Sequence, residues 1–464
     1  MSISERGNGT GVSVRDVNGH ALEERLALAG ISESELARKE RLFARAAAAL
    51  GRRHGLRLWV PGRIEFLGKH TDYAGGRSLV CAVERGLAVV AAARDDRRVR
   101  LTDAVSSEYV EMELTPTLPP ADGSWGNYAI TVARRIARNF PGPLRGADIA
   151  FASDLPPAAG LSSSSALVVA NFLAIADLNS LGAHEEYRAS LPNADDLAGY
   201  LGAVESGAPF GSLAGDRGVG TFSGSQDHTA ILCSRAGALV QYAFAPVRFE
   251  RAVPLPYDYV FVIGASGVLA EKTGAARELY NRQARRVHAL VDRWRAATGR
   301  SDATLADVLA SDTGAIDRLR GIVRDPALGS SASDGFDATD LMTRLDQFAA
   351  ESLEIIPAAG DALERGDLTA LGELVDRSQR GAELLLGNQV PETMHLARSA
   401  RSLGAVAASA FGAGFGGSVW ALVRRTDSAK FLQAWQEAYE SRFPGPAERA
   451  SFFVTAAGPA AMRL

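Results

Sequence analysis

Residues 153–170 have the sequence SDLPPAAGLSSSSALVVA, in which a strand-like run ends, two prolines stiffen a turn and an apolar helix follows. The four serines at 162–165 stand at the predicted start of that helix, where backbone N–H groups are unpaired and the helix dipole is positive. Gly160 lets the backbone come close to a ligand. No lysine follows the glycine, so the stretch differs from the common P-loop. A helix N-cap would explain one serine, but four serines after Pro156-Pro157 favour a phosphate-binding site.

A second polar cluster lies upstream, in VPGRIEFLGKHTDYAGGRSL at residues 60–79. It follows a strand-like run at 56–60, which we predict to be interrupted at Pro61-Gly62. Five hydrogen-bonding side chains fall within ten residues, namely Arg63, Glu65, Lys69, His70 and Asp72. This density suits a polyhydroxylated ligand, because sugar hydroxyls need both donors and carboxylate acceptors. A solvated loop that ends at Gly75-Gly76 would explain the segment equally well.

Two further segments combine glycines with either a carboxylate or a strand. In GTFSGSQDHTAIL, residues 220–232, Asp227 stands between a glycine-rich loop and an apolar run, as a helix cap or a buried carboxylate. The chain lacks the nucleophile elbow that a Ser/His/Asp hydrolase would need. In FGAGFGGSVWALV, residues 411–423, a glycine loop precedes a strand and forms either a structural turn or backbone packed against a ligand.

Strand-like runs and helical periodicity alternate along the chain, which predicts an α+β protein of two intimately joined halves. Prolines cluster at 246, 254 and 256 and suggest a boundary there. We therefore predict a flexible N-terminal tail over residues 1–20, an N-terminal domain over 21–250 and a C-terminal domain over 251–464.

The composition excludes several classes of function. The 464 residues carry a net charge of −4, so no sequence-wide positive field attracts nucleic acid or an acidic membrane. Two cysteines cannot form a disulfide framework, and no Cys/His spacing suggests zinc. We expect a cytoplasmic enzyme without nucleic-acid or membrane partners, present as a monomer or a weak homo-oligomer.

Taken together, the four segments resemble the galactokinase branch of the GHMP small-molecule kinases. That branch carries, in order, Gly-Arg-x-Asn-Leu-Ile-Gly-Glu-His-Thr-Asp-Tyr, Gly-Leu-Ser-Ser-Ser, Met-Asp-Gln and Gly-x-Gly-Phe-Gly-Gly. The corresponding stretches here are GRIEFLGKHTDY at 62–73, GLSSSSA at 160–166, SQDH at 225–228 and GAGFGG at 412–417. The resemblance extends from about residue 55 to 425. It implies a two-domain GHMP kinase fold with the active site in the cleft between the domains.

The resemblance also implies an activity, its cofactors and its site residues. It indicates a kinase that uses ATP and Mg²⁺ to phosphorylate a monosaccharide, at the anomeric hydroxyl of galactose or a related sugar. Asp227 would be the catalytic base, and Arg63 would pair with it and stabilise charge at the phosphoryl group. The implied nucleotide-binding residues are Ala158, Ala159, Gly160, Leu161, Ser162, Ser163 and Ser164. Ser164 and Glu205 would bind the magnesium ion. The implied sugar-binding residues are Lys69, His70, Thr71, Asp72 and Tyr280.

Three positions depart from the family pattern. Glu65 replaces the family's Asn, Lys69 replaces its Glu, and His228 replaces its Gln. If Glu65 neutralises Lys69, a galactose-like sugar still fits; if it does not, Lys69 favours a uronic acid or another sugar. A sensor that binds sugar and ATP without turnover is a further alternative. A kinase for a non-sugar alcohol such as mevalonate is disfavoured by His-Thr-Asp-Tyr at 70–73.

Overall fold

The computed structural model describes residues 22–51, 55–157, 159–269, 274–325 and 335–464. The predicted tail at 1–20 and the predicted nucleotide-binding residue Ala158 therefore lie outside the described residues. Helices and sheets are mixed along the described chain, which confirms the predicted α+β class. No helix in these ranges is both long enough and apolar enough to span a membrane.

The larger of two sheets contains nine strands in the described part of the chain. They are β1 (Leu56–Leu67), β2 (Arg77–Ala93), β3 (Arg98–Asp103), β4 (Tyr109–Glu113), β5 (Ala147–Ser153), β6 (Ala238–Ala243), β7 (Arg248–Pro254), β12 (Ala457–Gly458) and β13 (Met462–Arg463). The order is β13-β1-β2-β5-β3-β4, β6 and β12 also pair with β2, and β7 pairs with β6. Strands β3 and β5 run parallel, and the other pairs are antiparallel.

Helices of the first half cover both faces of this sheet. They are α1 (Leu22–Ala29), α2 (Glu33–Leu50), α3 (Asn127–Asn139), α4 (Ser163–Leu178), α5 (Glu185–Ser190), α6 (Ala194–Ser206) and α7 (Gln226–Cys233). Helices α3, α4 and α6 share one hydrophobic core with β1, β2 and β5. Helices α1 and α2 pack on the opposite face around Trp59. Helix α4 is apolar nearly all round, as expected of a helix buried between sheet and helices.

The second half contains the smaller sheet and most of the remaining helices. Its strands are β8 (Tyr259–Ala265), β9 (Ala407–Phe411), β10 (Ser418–Arg424) and β11 (Ser451–Thr455), in the antiparallel order β11-β8-β10-β9. The helices are α8 (Gly274–Thr298), α9 (Leu305–Ala310), α10 (Ala315–Arg324), α11 (Ala338–Ala349), α12 (Ile356–Glu364), α13 (Leu368–Gly381), α14 (Pro391–Ser402), α15 (Ser428–Arg442) and α16 (Pro444–Ala447). Two π-helical segments, Ala350–Ile355 and Ala382–Leu386, continue α11 and α13.

Aromatic side chains join the two sheets. Phe66 near the end of β1 stacks on Trp420 of β10, with ring centroids 4.2 Å apart, and meets Phe261 of β8 edge-on. All three rings are fully buried in one cluster shared by both halves. Such aromatic contacts contribute beyond the area they bury, so the end of β1 is fixed against the second half of the chain.

The predicted interruption at Pro61-Gly62 is wrong, because β1 continues through this dipeptide to Leu67. The strand accommodates the pair with a register shift between Pro61 and Arg63 against β2. Gly62 is needed there because a Cβ would come within 2.8 Å of the Leu161 carbonyl oxygen. Side chains alternate along a strand, so continuation of β1 places Arg63 and Glu65 on one face.

The predicted domain limits can be compared with the strand pairing. Strand β7 crosses the predicted boundary at residues 250 and 251 and belongs to the larger sheet. Strands β12 and β13, late in the chain, also return to that sheet, where they pair with β2 and β1. The larger sheet is therefore built from sequence on both sides of the predicted boundary.

A buried lysine of helix α2 forms an ion pair with the start of segment 154–162, which we call the serine loop. The Lys39 Nζ atom donates to Asp154 Oδ2 at 2.7 Å and to Glu35 Oε2 at 2.9 Å, and it lies 5.0 Å from the centre of the Trp59 ring. Asp154 Oδ1 accepts the Gly86 N–H. The lysine is fully buried, so this ion pair holds the start of the serine loop to both α2 and β2.

Replacing this lysine should destabilise the fold. We expect Lys39→Met to lower the free energy of unfolding by about 2–4 kcal/mol, because it leaves a largely buried carboxylate without its cation. Urea unfolding or calorimetry would measure the loss. The exposed Lys430 on α15 provides the matched control, and Lys430→Met should change stability by less than about 0.5 kcal/mol. Equal stability of the two variants would contradict the structural role given to Lys39.

Candidate active site

A narrow cavity lies where the two halves of the chain meet. Its wall combines residues of β1, the segment that follows it, α4, α6 and α7 with residues of α8 and the glycine loop 412–417. Residues that line the cavity include Arg63, Glu65, His70, Asp72, Ser165, Glu205, Asp227, His228, Tyr280, Gly412 and Ala413. The first half supplies most of the polar groups, and the second half supplies Tyr280 and the glycine loop.

Asp227, the second residue of α7, is the central carboxylate of this cavity. Arg63 donates from Nε to Asp227 Oδ1 at 2.8 Å, and its Nη2 lies 2.8 Å from the same oxygen. The Ser162 hydroxyl donates to Oδ2 at 2.5 Å. Arg63 also donates from Nη1 to the Gly160 carbonyl. One arginine therefore connects β1, the serine loop and α7 through charge-assisted hydrogen bonds.

The serine loop ends in a helix start that faces Asp227. Ser162 adopts a left-handed conformation with φ of 58°, and α4 begins at Ser163. Ser165 is almost completely buried and donates to Glu205 Oε2 at 2.9 Å, while its hydroxyl lies 3.4 Å from Asp227 Oδ2. The hydroxyls of Ser162 and Ser165 therefore both face Asp227 Oδ2.

This geometry bears on the predicted metal ligand Ser164. Ser164 was the implied metal ligand, but it is only half-buried, and it is Ser165 that lies against Glu205. Four consecutive serines leave the register ambiguous in the sequence.

Glu205, at the end of α6, is buried and close to a second titratable residue. The Nε2 atom of His228 lies 3.2 Å from Glu205 Oε2, and both side chains are about 1% exposed. His228 follows Asp227 directly and lines the cavity. In the sequence, His228 is a departure from the family pattern, and the resemblance implies no role for it.

The segment after β1 is held in place by helix α11 and the glycine loop. His70 accepts at Nδ1 from the Tyr73 hydroxyl over 2.9 Å and donates from Nε2 to the Ala413 carbonyl over 3.0 Å. The carbonyl can only accept, which fixes the proton on Nε2. Arg344 on α11 is fully buried and donates to the His70 carbonyl. Burial raises the pKa of Tyr73 to about 12, so its hydroxyl stays protonated as the donor.

Asp72 and Tyr280 complete the cavity from opposite sides. Asp72 Oδ2 accepts the Gln226 N–H at 3.1 Å, which joins the segment after β1 to the start of α7. Gly224 makes this approach feasible, because a Cβ there would lie 2.4 Å from the same oxygen. The Tyr280 ring lies 5.0 Å from His70, and burial raises the pKa of its hydroxyl well above the ordinary value.

Two predicted sugar-binding side chains point away from the cavity lining. The Lys69 Nζ atom is buried and donates to Ser409 Oγ at 2.8 Å and Ser378 Oγ at 3.2 Å. Ser378 in turn donates to Glu351 Oε1 at 2.9 Å. Thr71 turns its hydroxyl to the Gly68 and Arg77 carbonyls. The charge of Lys69 is thus compensated by Glu351 through one serine.

Glu65, in contrast to Lys69, lines the cavity. It belongs to the polar cluster that the sequence suggested for a sugar, although the resemblance did not include it among the sugar-binding residues. It is 2% exposed. Burial raises its pKa from 4.5 to about 8, an effect that Lys69 and Arg63 only partly oppose. The two-residue spacing from Arg63 on a strand was the signal that could have identified it.

The remaining predicted nucleotide-binding residues lie along the serine loop. Ala159 lines a second cavity, of about 300 Å³, together with Pro156, Pro157 and Gly417. The Gly160 and Leu161 carbonyls accept hydrogen bonds from Arg63, through its side chain and backbone respectively. Ser163 is the first residue of α4.

Three protein-family descriptions match the chain. Residues 127–211 match the GHMP kinases N-terminal domain, and residues 361–441 match the GHMP kinases C-terminal domain. Residues 53–93, which include β1 and the segment after it, match the galactokinase galactose-binding signature.

Curated relatives agree with these matches. A Chloroflexus aggregans galactokinase is 28% identical over 388 residues, which cover 82% of this chain and 87% of the relative. An Actinobacillus pleuropneumoniae galactokinase is 31% identical over 206 residues, which cover 44% of this chain and about half, 48%, of that protein.

Solved structures show the same fold. A Lactococcus lactis galactokinase complexed with galactose superimposes with a TM-score of 0.73 at 23% identity, covering 92% of this chain and 99% of that one. A Methanococcus jannaschii mevalonate kinase gives 0.54 at 13% identity, covering 87% and 98%. Segments in both halves of the chain thus match GHMP kinase domains, and the fold is that of the galactokinase and mevalonate kinase structures. Among the GHMP kinases, the chain is similar to galactokinases, through the signature match at residues 53–93 and the curated relatives.

Proposed function

We propose that the protein transfers the γ-phosphoryl group of ATP to the anomeric hydroxyl of galactose or a closely related neutral sugar. The observation that carries the proposal is Asp227, a carboxylate oriented by Arg63 and Ser162 within the cavity between the two halves. We also propose that the protein acts in the cytoplasm as a monomer or weak homo-oligomer. The net charge of −4 supports the absence of nucleic-acid partners.

In the proposed reaction the sugar hydroxyl oxygen attacks the γ-phosphorus, the bond to the ADP oxygen breaks, and the hydroxyl proton passes to Asp227. Both Arg63 contacts are to Oδ1, whereas Oδ2 faces serine hydroxyls, so Oδ2 is the oxygen proposed to take the proton. Arg63 both orients the carboxylate and supplies positive charge near the transferred group. Positioning and charge stabilisation account for most catalysis of phosphoryl transfer.

The residues present also fit a magnesium nucleotide. The Ser165 hydroxyl and the Glu205 carboxylate are buried 2.9 Å apart beside Asp227. Both are hard oxygen ligands, and Mg²⁺ is commonly held by one or two protein oxygens together with substrate phosphates. When bound, the ion would neutralise charge on the phosphates. No group of three or more His, Cys, Asp and Glu among the described residues forms a metal site without the nucleotide. The N–H groups at the start of α4 would bind the phosphates.

A neutral sugar is favoured over a uronic acid. A uronate would need a cation on the cavity wall. The Lys69 ammonium points away from the cavity and donates hydrogen bonds to Ser378 and Ser409. The Arg63 guanidinium is already bonded to Asp227 and Gly160. Among the described residues the Lys69 ammonium is linked through Ser378 to the Glu351 carboxylate, which supports a neutral sugar without requiring Glu65 as the counter-charge.

ADP release in the presence of ATP, Mg²⁺ and a panel of sugars tests the proposal directly. We expect sugar-dependent ADP release with galactose among the good substrates. Binding of sugar and ATP without ADP release would indicate a sensor instead. A preference for mevalonate over every sugar would contradict the proposal.

The role of Asp227 predicts a large kinetic defect. We expect Asp227→Asn to reduce kcat by about 10²–10⁴-fold, the usual range for loss of a general base, with ATP binding largely unchanged. The melting temperature should also fall, because the buried Arg63 loses its counter-charge, so the kinetics are measured well below it. Steady-state kinetics and calorimetry would measure both. Asp122→Asn, at an exposed aspartate, serves as the control. Wild-type turnover by Asp227→Asn would show that another group takes the proton.

Substitution of Ser164 and of Ser165 in α4 should have different effects on the use of magnesium-ATP. We expect Ser165→Ala to raise the KM for magnesium-ATP by about tenfold or more, because it removes a proposed ligand and the hydrogen bond that Ser165 donates to Glu205. Ser164→Ala, the matched neighbour, should change this KM by less than about threefold. Titration with Mg²⁺ at fixed ATP would compare the variants, and the reverse ranking would restore Ser164 as the ligand.

The orientation of Lys69 predicts that it does not select the sugar. We expect the wild type to prefer galactose over galacturonate. Lys69→Gln should leave the ratio of the two kcat/KM values within about twofold, even where it lowers stability. Measuring both substrates with both proteins decides the point. A wild-type preference for galacturonate that Lys69→Gln abolishes would place the ammonium on the substrate.

A further inference from the structure

Glu65 is a buried acid on the cavity wall that the proposed reaction does not use. It projects from β1 two residues after Arg63 and on the same face. It is 2% exposed, and its Oε1 atom has no hydrogen-bond partner among the described residues. Leaving a buried polar atom unpaired costs free energy. An unpaired acid that faces a ligand cavity indicates that the ligand completes its hydrogen bonding.

The cations near Glu65 are engaged elsewhere. Arg63 is bonded to Asp227 and to the Gly160 carbonyl, and the Lys69 ammonium is bonded to two serines. A buried carboxylate without an ion pair is stabilised by taking up a proton. Glu65 therefore sits in surroundings that favour its neutral form.

Charged groups around Glu65 act in both directions. Burial raises its pKa to about 8. The positive charges of Lys69 and Arg63 oppose this increase, and the negative charges of Asp227 and Glu351 add to it. The other titratable groups on the cavity wall are His70, Asp72, Glu205, His228 and Tyr280.

We propose that Glu65 determines sugar specificity, as a neutral carboxylic acid that donates a hydrogen bond to one oxygen of an uncharged sugar. This inference rests on the proposed function. A carboxylate in this position could only accept hydrogen bonds, whereas the acid can donate one. The neutral form also keeps a second negative charge away from Asp227 and from the phosphates that must approach it.

The first test detects the proton on Glu65 through the pH dependence of stability, in protein without bound sugar. Between pH 4.5 and about 8 the folded protein holds a proton on Glu65 that the unfolded chain releases, so stability contributed by this residue falls as pH rises through that range. Glu65→Gln cannot ionise. We expect the melting temperature of the wild type to fall relative to Glu65→Gln by about 2–5 °C between pH 5 and pH 8, and the difference to stay constant above that. Parallel profiles from pH 5 to pH 9 would overturn the neutral-acid assignment.

The second test measures the affinity for galactose as a function of pH. We expect the wild-type galactose KM, and the Kd from calorimetry, to rise about tenfold between pH 7 and pH 9, with the KM for ATP changing less than twofold. Glu65→Gln keeps a donor and should show a flat profile, within about threefold of the wild type at pH 7. Methionine has a similar length to glutamate and no hydrogen-bond donor. Glu65→Met should therefore raise the Kd for galactose by about 10–100-fold at pH 7. Glu84→Gln, at a buried glutamate whose oxygens accept two backbone N–H groups outside the cavity, is the matched control.

These measurements separate failure of the inference from failure of the proposed function. A wild type that binds galactose but releases no ADP contradicts the proposed function, while the calorimetric Kd still compares the Glu65 variants. Identical profiles for wild type and Glu65→Gln, or an undiminished affinity in Glu65→Met, would overturn the role of Glu65.

Monodeoxy galactoses then identify the oxygen. With one of the 2-, 3-, 4- or 6-deoxy sugars, wild type and Glu65→Met should have the same affinity, because the partner of Glu65 is missing. If Glu65→Met lowers the affinity for every deoxy sugar by the same factor as the affinity for galactose, Glu65 contacts none of these four hydroxyls. That result would overturn a hydrogen bond to any sugar hydroxyl other than the anomeric one.

Discussion

The bonds between Arg63 and Asp227 hold the functional part of this molecule together. The arginine comes from the larger sheet and the aspartate from the start of α7, and the same guanidinium holds the serine loop through the Gly160 carbonyl. Both side chains are largely buried, which makes removal of either partner costly. Helix α4, helix α7 and β1 therefore take up one relative arrangement, and the carboxylate is oriented before any ligand arrives.

Much of this arrangement follows from the sequence. The serines before an apolar helix predicted the start of α4, and the order of the four motifs predicted the family, the fold and the pairing of Arg63 with Asp227. Local patterns failed where long-range packing decides the outcome. Pro61-Gly62 looked like a strand end, but the serine loop packs on the glycine, and β2 continues to pair beyond it.

The direction of individual side chains was harder to predict. Lys69 and Glu65 are four residues apart in a polar segment, yet one turns to Ser378 and Ser409 and the other to the cavity. The partners of Lys69 lie more than 300 positions away, so no local pattern could reveal them. The choice between Ser164 and Ser165 depended on where α4 begins, a boundary that sequence patterns locate poorly. The pairing of β12 and β13 with the first half is equally non-local.

That pairing sets an order of events during protein synthesis. Trp59 on β1 pairs with Met462 on β13, and Val83 on β2 pairs with Ala457 on β12. While the ribosome is still making the second half, this edge of β1 is left without its final neighbour, and an open strand edge invites pairing with other chains. Helices α1 and α2 are already available to cover the face around Trp59. In the nascent chain, α1 and α2 thus cover the face of the growing sheet first. The edge of β1 is paired only when β13 has emerged.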